Sequence, residues 1–214
     1  MTKDGLGIIV ISLILTIFLF LLSVLTKSKI SFGITVLFLV ITFYIAFFFR
    51  DPERKITQDE NTVLSPADGG IVELSPFSKN EFLNSGGTEV AIFLSLLDVH
   101  INRNPISGVV RYSKHTPGRF NPAYKEKASL ENEQTELGLE NEKVKLVLRQ
   151  IAGTIARRIV CRIKEGDKII AGERFGMIKF GSRVELFLPE KIKILVKLNQ
   201  KVKAGETVIG TYEV

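Results

Sequence analysis

Two long stretches without a single charge dominate the beginning of this chain. Twenty-two residues separate Asp4 from Lys27, and twenty separate Lys29 from Arg50. As helices rising about 1.5 Å per residue, each reaches across the roughly 30 Å hydrocarbon layer of a bilayer. Residues 1–49 are therefore expected to form two membrane helices, and the remainder must supply any water-soluble domain. Only Lys27, Ser28 and Lys29 lie between the stretches, which predicts a tight helical hairpin with both ends on one side. Lys3, Arg50, Arg54 and Lys55 flank that side, against Lys27 and Lys29 at the tip, a balance that favours a cytoplasmic position for the rest of the chain. A secretory signal peptide is the alternative reading. The first stretch is longer than the usual apolar region of such a peptide, and no small-x-small cleavage pattern follows it.

Charge and cysteine content exclude several function classes. Of the formal net charge of +6, +2 belongs to residues 1–49 (Lys3, Lys27 and Lys29 against Asp4), leaving +4 for the remainder. That mild excess suits work beside an anionic lipid surface. No basic run with interleaved aromatics suggests a nucleic-acid groove. Cys161 is the only cysteine and there are two histidines, so neither an intrachain disulfide nor a metal site is expected.

Residues 50–61 are charged and polar and read as a juxtamembrane linker. From Thr62 to the end at residue 214 the pattern changes to short apolar runs punctuated by glycine, which predicts a mainly β domain. Lys143–Arg149 places Val144, Leu146 and Leu148 on one face, and Ser182–Leu188 does the same with Val184, Leu186 and Leu188. Further strands are expected at Gly70–Leu74, Val90–Leu96, Gly108–Ser113, Thr154–Ile163, Ile192–Leu198 and Thr207–Tyr212. Glu126–Lys143 is too polar to supply a core face and reads mostly as a loop. Lys168-Ile-Ile-Ala-Gly-Glu173 is echoed by Lys201-Val-Lys-Ala-Gly-Glu206, 33 residues later. Such a duplicated strand-and-turn unit predicts a compact barrel or sandwich. It also resembles the repeat of lipoyl and biotinyl carrier domains.

Few residues here can carry chemistry. His100 follows an apolar strand within Asp98-Val-His-Ile-Asn-Arg103, where it could equally be a histidine satisfied by backbone. His115 sits among turn-forming residues and reads as loop surface or a substrate contact. Asp68, in Ser65-Pro-Ala-Asp-Gly69, has an ordinary role open to it as a β-turn aspartate. Gly181-Ser182 is the only Gly-Ser pair and opens an alternating strand.

The order and surroundings of Phe49-Arg-Asp-Pro52, Ser65-Pro-Ala-Asp-Gly69, Asp98-Val-His100, Asn132-Glu133, Gly153 and Phe180-Gly-Ser182 resemble the phosphatidylserine decarboxylases, in particular their short bacterial and archaeal form. The resemblance spans the whole soluble region. It implies that Ser182 attacks the Gly181 carbonyl, that β-elimination splits the chain into residues 1–181 and 182–214, and that residue 182 becomes a pyruvoyl cofactor. The two pieces are expected to remain associated. His100 and Asp68 are implied as the base and its carboxylate partner, the usual means of activating a serine hydroxyl. The pyruvoyl carbonyl would condense with the amine of a serine phospholipid in the membrane and act as electron sink during loss of carbon dioxide, with His100 returning a proton. The lipid tails, ester or archaeal ether, and self-association into a homo-oligomer are left open.

Two departures from the longer family members stand out. Arg103 occupies the place of a second histidine and Arg183 that of a threonine after the serine. Both arginines are candidates for binding the substrate phosphate or carboxylate, with a solvated surface charge as the alternative. Two other functions compete: a membrane-tethered adaptor or carrier with a lipoyl-like barrel, and a soluble pyruvoyl amino-acid decarboxylase, which would have no use for membrane helices.

Overall fold

A computed structural model describes residues 1–57, 59–121, 131–153, 158–178 and 182–212. The chain forms two compact units, Met1–Glu53 and Arg54–Val214.

The first unit is a helical hairpin of α1 (Lys3–Thr26) and α2 (Lys29–Phe48). Thr2 caps α1 by accepting the Gly5 N–H, Lys27 closes it in the left-handed conformation at φ 49°, and Ser28 caps α2. The backbone N–H of Thr2 donates to Phe49 O at 3.1 Å, so the two ends of the hairpin meet, as the short connection requires. The buried seam is made of Thr16, Ser23, Thr35 and Thr42, while most of the large apolar side chains point outward. Ser12 and Thr16 both pair with Thr42 across the seam, at 2.6 and 3.0 Å. Small hydroxyl residues inside and apolar residues outside is the reverse of a soluble hairpin, and it is what helix association in lipid requires. Both helices are long and apolar enough to cross a membrane.

The second unit is mainly β. Its largest sheet has eight strands in the order β13-β2-β3-β11-β7-β6-β5-β9, with ranges β2 Gly69–Asn80, β3 Ser85–Leu94, β5 Gly108–Thr116, β6 Gln134–Glu140, β7 Lys145–Ile151, β9 Lys168–Ile169, β11 Ser182–Pro189 and β13 Lys201–Val202. Two three-stranded sheets complete it: β1 (Thr62–Leu64), β14 (Val208–Tyr212) and β12 (Ile192–Ile194), and β4 (Ile101–Arg103), β10 (Arg174–Ile178) and β8 (Ile159–Cys161). The large sheet is curled into a half-barrel, and its concave face carries Ile71, Val90, Ile92, Leu94, Leu137, Leu146, Leu148, Val184 and Leu186 into one core.

One expectation fails here. Gln134–Glu140, inside the stretch read as loop, is β6, a central strand. Its alternation is short but regular, with Thr135, Leu137 and Leu139 buried. The acidic residues that made it look too polar occupy its other face, where Glu136 meets Arg149 on β7. Likewise His115 lies on β5, which runs into the residues read as a turn and ends at Thr116.

The duplicated unit is visible in the chain path. Each copy is a two-residue strand, a turn with glycine at positive φ (Gly172 at 79°, Gly205 at 76°), and a longer strand, β9 to β10 and β13 to β14. The two turns close on one residue: a Cβ on either glycine would lie within 2.7 Å of Ile56. Residues 54–57 are thereby bound to the β unit, with Thr57 Oγ1 donating to Glu206 O and Arg54 pairing with Asp68.

Candidate active site

Ser182 opens β11 opposite Leu94 of β3. It is fully buried, and among the described residues its Oγ has no hydrogen-bond partner. A hydroxyl in that state contributes nothing to the fold and loses its hydration. Gly181 lies outside the described residues.

His100 is fully buried just before β4. Two chain paths bring it toward Ser182. From Leu94, the cross-strand partner of Ser182, a turn over Ser95–Asp98 leads directly to it, held by Asp98 Oδ2 accepting from Ser95 N and Oγ at 2.8 and 2.6 Å. On the other side β10, which precedes the Gly181-Ser182 bond, runs antiparallel to β4, with the Ile178 N–H donating to His100 O at 3.3 Å. His100 Nδ1 faces Asp98 O at 3.0 Å. A carbonyl only accepts, so Nδ1 carries the proton and Nε2 is left as the basic nitrogen.

Asp68 is placed differently from a carboxylate that orients a histidine. Its Oδ2 pairs with Arg54 Nη2 at 2.6 Å and its Oδ1 accepts from Ala204 N at 2.8 Å. Burial raises its pKa, opposed by the Ala204 N–H and by Arg54. The turn that bears it is fastened to β4, because Pro66 O accepts from Arg103 N at 2.9 Å and Asn102 Nδ2 at 3.5 Å. The carboxylate thus ties the start of the β unit, the Ser65–Asp68 turn and the second repeat together beside the strand that follows His100.

The arginines separate. Arg103 is buried and donates through Nη1 to Gly172 O at 2.8 Å, bracing the first repeat's turn. Arg183 follows Ser182 on the strand and so points to the opposite face of the sheet. There its guanidinium meets Glu185 at 2.7 Å, Glu89 at 3.4 Å and Glu73. Arg149 extends the cluster to Glu185 and Glu136 at 3.2 and 2.6 Å, and Tyr112 donates to Glu136 at 2.8 Å. Burial alone would make the Arg183 guanidinium less basic, but Glu185 and Glu73 outweigh it and raise its pKa. His115 also stays apart, three strands from β11 and so about 14 Å away along the sheet. Its imidazole is half exposed, with Nε2 4.0 Å from Glu133.

The cluster behind Arg183 makes two predictions. Arg183→Met would leave the fully buried Glu185 short of one partner and should cost about 3–5 kcal/mol in denaturant unfolding, any lost activity following the unfolded fraction. A stable variant with a selectively raised KM would instead make Arg183 a substrate ligand. The second concerns Glu89, whose pKa burial, then Glu185 and Glu73, push up to about 7. A carboxyl raised on folding contributes stability that is full below its unfolded value near 4.5 and is lost as pH rises through about 7. Glu89→Gln should accordingly be the more stable protein at pH 8, by on the order of 2 kcal/mol after allowance for its coupled neighbours, and flatter between pH 4.5 and 7. Thermal melts across pH check this, and an unchanged slope would contradict it.

Sequence reasoning missed two groups at the site. Arg54 reads as part of a linker, though it is the partly buried partner of Asp68. Gln150, fully buried, sits on the core face of β7 opposite Val184 and donates to Asn102 Oδ1 at 2.7 Å. Its signal was present, since it continues the apolar series Leu146, Leu148 with a polar residue.

Comparison with known proteins fits this arrangement. A family model described as phosphatidylserine decarboxylase matches residues 41–210. The phosphatidylserine decarboxylase proenzyme of Geobacter sulfurreducens is 41% identical over 208 residues, covering 97% of this chain and 94% of that one. That of Geobacter metallireducens is 42% identical over 186 residues, covering 86% and 85%. That of Chlorobium phaeobacteroides (strain DSM 266) is 43% identical over 166 residues, covering 78% of each. With a family model matching residues 41–210 and 41% identity over nearly the whole of both chains, the chain belongs to the phosphatidylserine decarboxylase family.

Proposed function

We propose that this protein is a membrane-anchored carboxy-lyase that converts a serine phospholipid to the corresponding ethanolamine phospholipid and carbon dioxide, using a pyruvoyl group made from its own Ser182. The observation that carries the reading is the buried Ser182 hydroxyl, which has no structural partner and stands between two chain paths that return to His100.

In the first stage, Ser182 Oγ attacks the Gly181 carbonyl, His100 Nε2 takes the hydroxyl proton, and the amide C–N bond gives way to an ester. Loss of the Ser182 α-proton with cleavage of the Cβ–Oγ bond leaves a carboxylate on Gly181 and dehydroalanine at 182. Addition of water and release of ammonia then give the pyruvoyl group. The cut happens once per molecule, so about 10⁻⁴ per second suffices, a barrier near 23 kcal/mol. That modest demand is within reach of a single positioned histidine. Asp68 acts at one remove, holding the Ser65–Asp68 turn against β4 so that His100 keeps its place.

The residues around position 182 fit such a group: Leu94 opposite it and Val184 beyond it wall it off from water, and nothing charged shares the core face of β11. When formed, the pyruvoyl carbonyl supplies an electrophile for the substrate amine and an electron sink during loss of carbon dioxide. His100 returns the proton to the substrate α-carbon. Large and small chains stay together because β11 is hydrogen-bonded between β3 and β7 in the middle of the sheet. The helical hairpin holds the enzyme at the membrane, with the β unit on the cytoplasmic face.

The test is incubation of the purified full chain with phosphatidylserine in mixed micelles. Equal amounts of phosphatidylethanolamine and carbon dioxide are expected without added cofactor. Lipid recovered unchanged in the presence of a fully cleaved chain would refute the assignment.

A further inference from the structure

We propose that Gln150 recognises the substrate's amino group, accepting a hydrogen bond from it through Oε1 while that group reacts at position 182. The inference rests on the pyruvoyl reading above.

The sheet register puts Gln150 next to the reacting position. Gln150 faces Val184 across the β7–β11 pair, and Ser182 is two residues before Val184, so the two side chains are diagonal neighbours on the core face. Such neighbours lie about 7–8 Å apart at the backbone, within the span of a glutamine side chain. The orientation of the amide is dictated by what lies behind it. Asn102 Nδ2 donates to Pro66 O, so Asn102 turns its Oδ1 toward Gln150 and accepts from Nε2 at 2.7 Å. β10 presses on the same end of the amide: a Cβ on Gly176 would lie 3.2 Å from Gln150 Nε2. With Nε2 committed, the group Gln150 has to offer is an acceptor. That acceptor, Oε1, is buried and has no partner.

A buried carbonyl oxygen without a donor is costly to keep. Among the described residues, Gln150 Oε1 and Ser182 Oγ are both in this condition and lie on adjacent strands. Self-cleavage consumes the serine hydroxyl, so it cannot be the lasting partner of Oε1. The substrate brings what the pocket lacks, a primary amine with N–H donors, to the atom beside Gln150. An amide oxygen suits the task, because it accepts from the amine without placing a charge in an otherwise apolar core. Gln150 would thereby set specificity for lipid head groups that end in an amine bearing hydrogens.

The experiment uses the full chain in micelles containing phosphatidylethanolamine, whose amine can join the enzyme but which has no carboxylate to lose. Cyanoborohydride reduces the adduct, and its formation on the 182–214 fragment is followed by mass while electrophoresis follows self-cleavage. Wild type, Gln150→Met and Gln150→Glu are compared, with circular dichroism confirming the fold. All three should self-cleave. Adduct formation at subsaturating lipid should fall about tenfold in Gln150→Met, which keeps volume but loses the acceptor, and return to within about threefold of wild type in Gln150→Glu, which restores one. An unimpaired Gln150→Met, or a Gln150→Glu no better than it, overturns the proposal. So does a folded Gln150→Met that no longer self-cleaves, which would assign the residue to the earlier step. Should methionine prevent folding, Gln150→Ala is judged by the same outcomes. A wild type that neither splits nor forms an adduct would fail the pyruvoyl reading itself, and this inference with it.

Discussion

Ser182→Ala should yield one uncleaved chain of residues 1–214, folded and membrane-bound, with no measurable decarboxylase activity. The expected loss is complete, because without the hydroxyl neither the ester nor the pyruvoyl group can form. Stability should hardly change: Ser182 Oγ makes no hydrogen bond among the described residues, so its removal breaks none there and relieves a buried polar atom. The methyl group that remains is compatible with Leu94 opposite and the apolar face beyond it. Inactivity accompanied by unfolding would therefore contradict the assignment as surely as a variant that still splits. Electrophoresis, a thermal melt and a lipid assay on one preparation distinguish the three cases.

His100→Ala is expected to have the next largest effect, slowing self-cleavage by about 10²–10⁴-fold, the usual contribution of a positioned general base. Pulse labelling followed by electrophoresis should show the full-length chain persisting for about a week or longer, where a wild type cut at about 10⁻⁴ per second is half processed in about two hours. Because both Asp68 oxygens are taken up by Arg54 and the Ala204 N–H, Asp68→Asn should do less to the cleavage rate than His100→Ala and more to stability, through the lost pairing with Arg54. Equal kinetic defects in the two variants, with wild-type stability in Asp68→Asn, would restore a direct carboxylate–histidine relay.

Much of this could be read from the chain before folding. The apolar helical hairpin follows from two uncharged runs and three residues between them, each run being long and apolar enough to cross a bilayer. The duplicated Ala-Gly-Glu segments carried both positive-φ turns, because that conformation calls for glycine. β11 and β7 were legible for their strict alternation. β6 was not, because its outward residues Glu136 and Glu140 are charged and find their partners, Arg149 and Lys145, on the next strand. Pairing of that kind is a property of register, which a single stretch of sequence does not display. The same limit hid the site's second tier. Arg183 reads equally as a substrate ligand or a solvated charge until the pleat turns it toward its glutamates, and Arg54 reads as linker until Asp68 meets it. Single residues with their own chemistry, Ser182 and His100, stand out as candidates from the sequence; which carboxylate serves which cation does not.

The most direct test of the account is the intact mass of the small fragment from the wild-type chain. The account predicts a fragment of residues 182–214 that is one ammonia lighter than the same peptide beginning with serine, and that is blocked to Edman degradation. A fragment beginning with ordinary Ser182, or a chain that stays whole while decarboxylating phosphatidylserine, would contradict it.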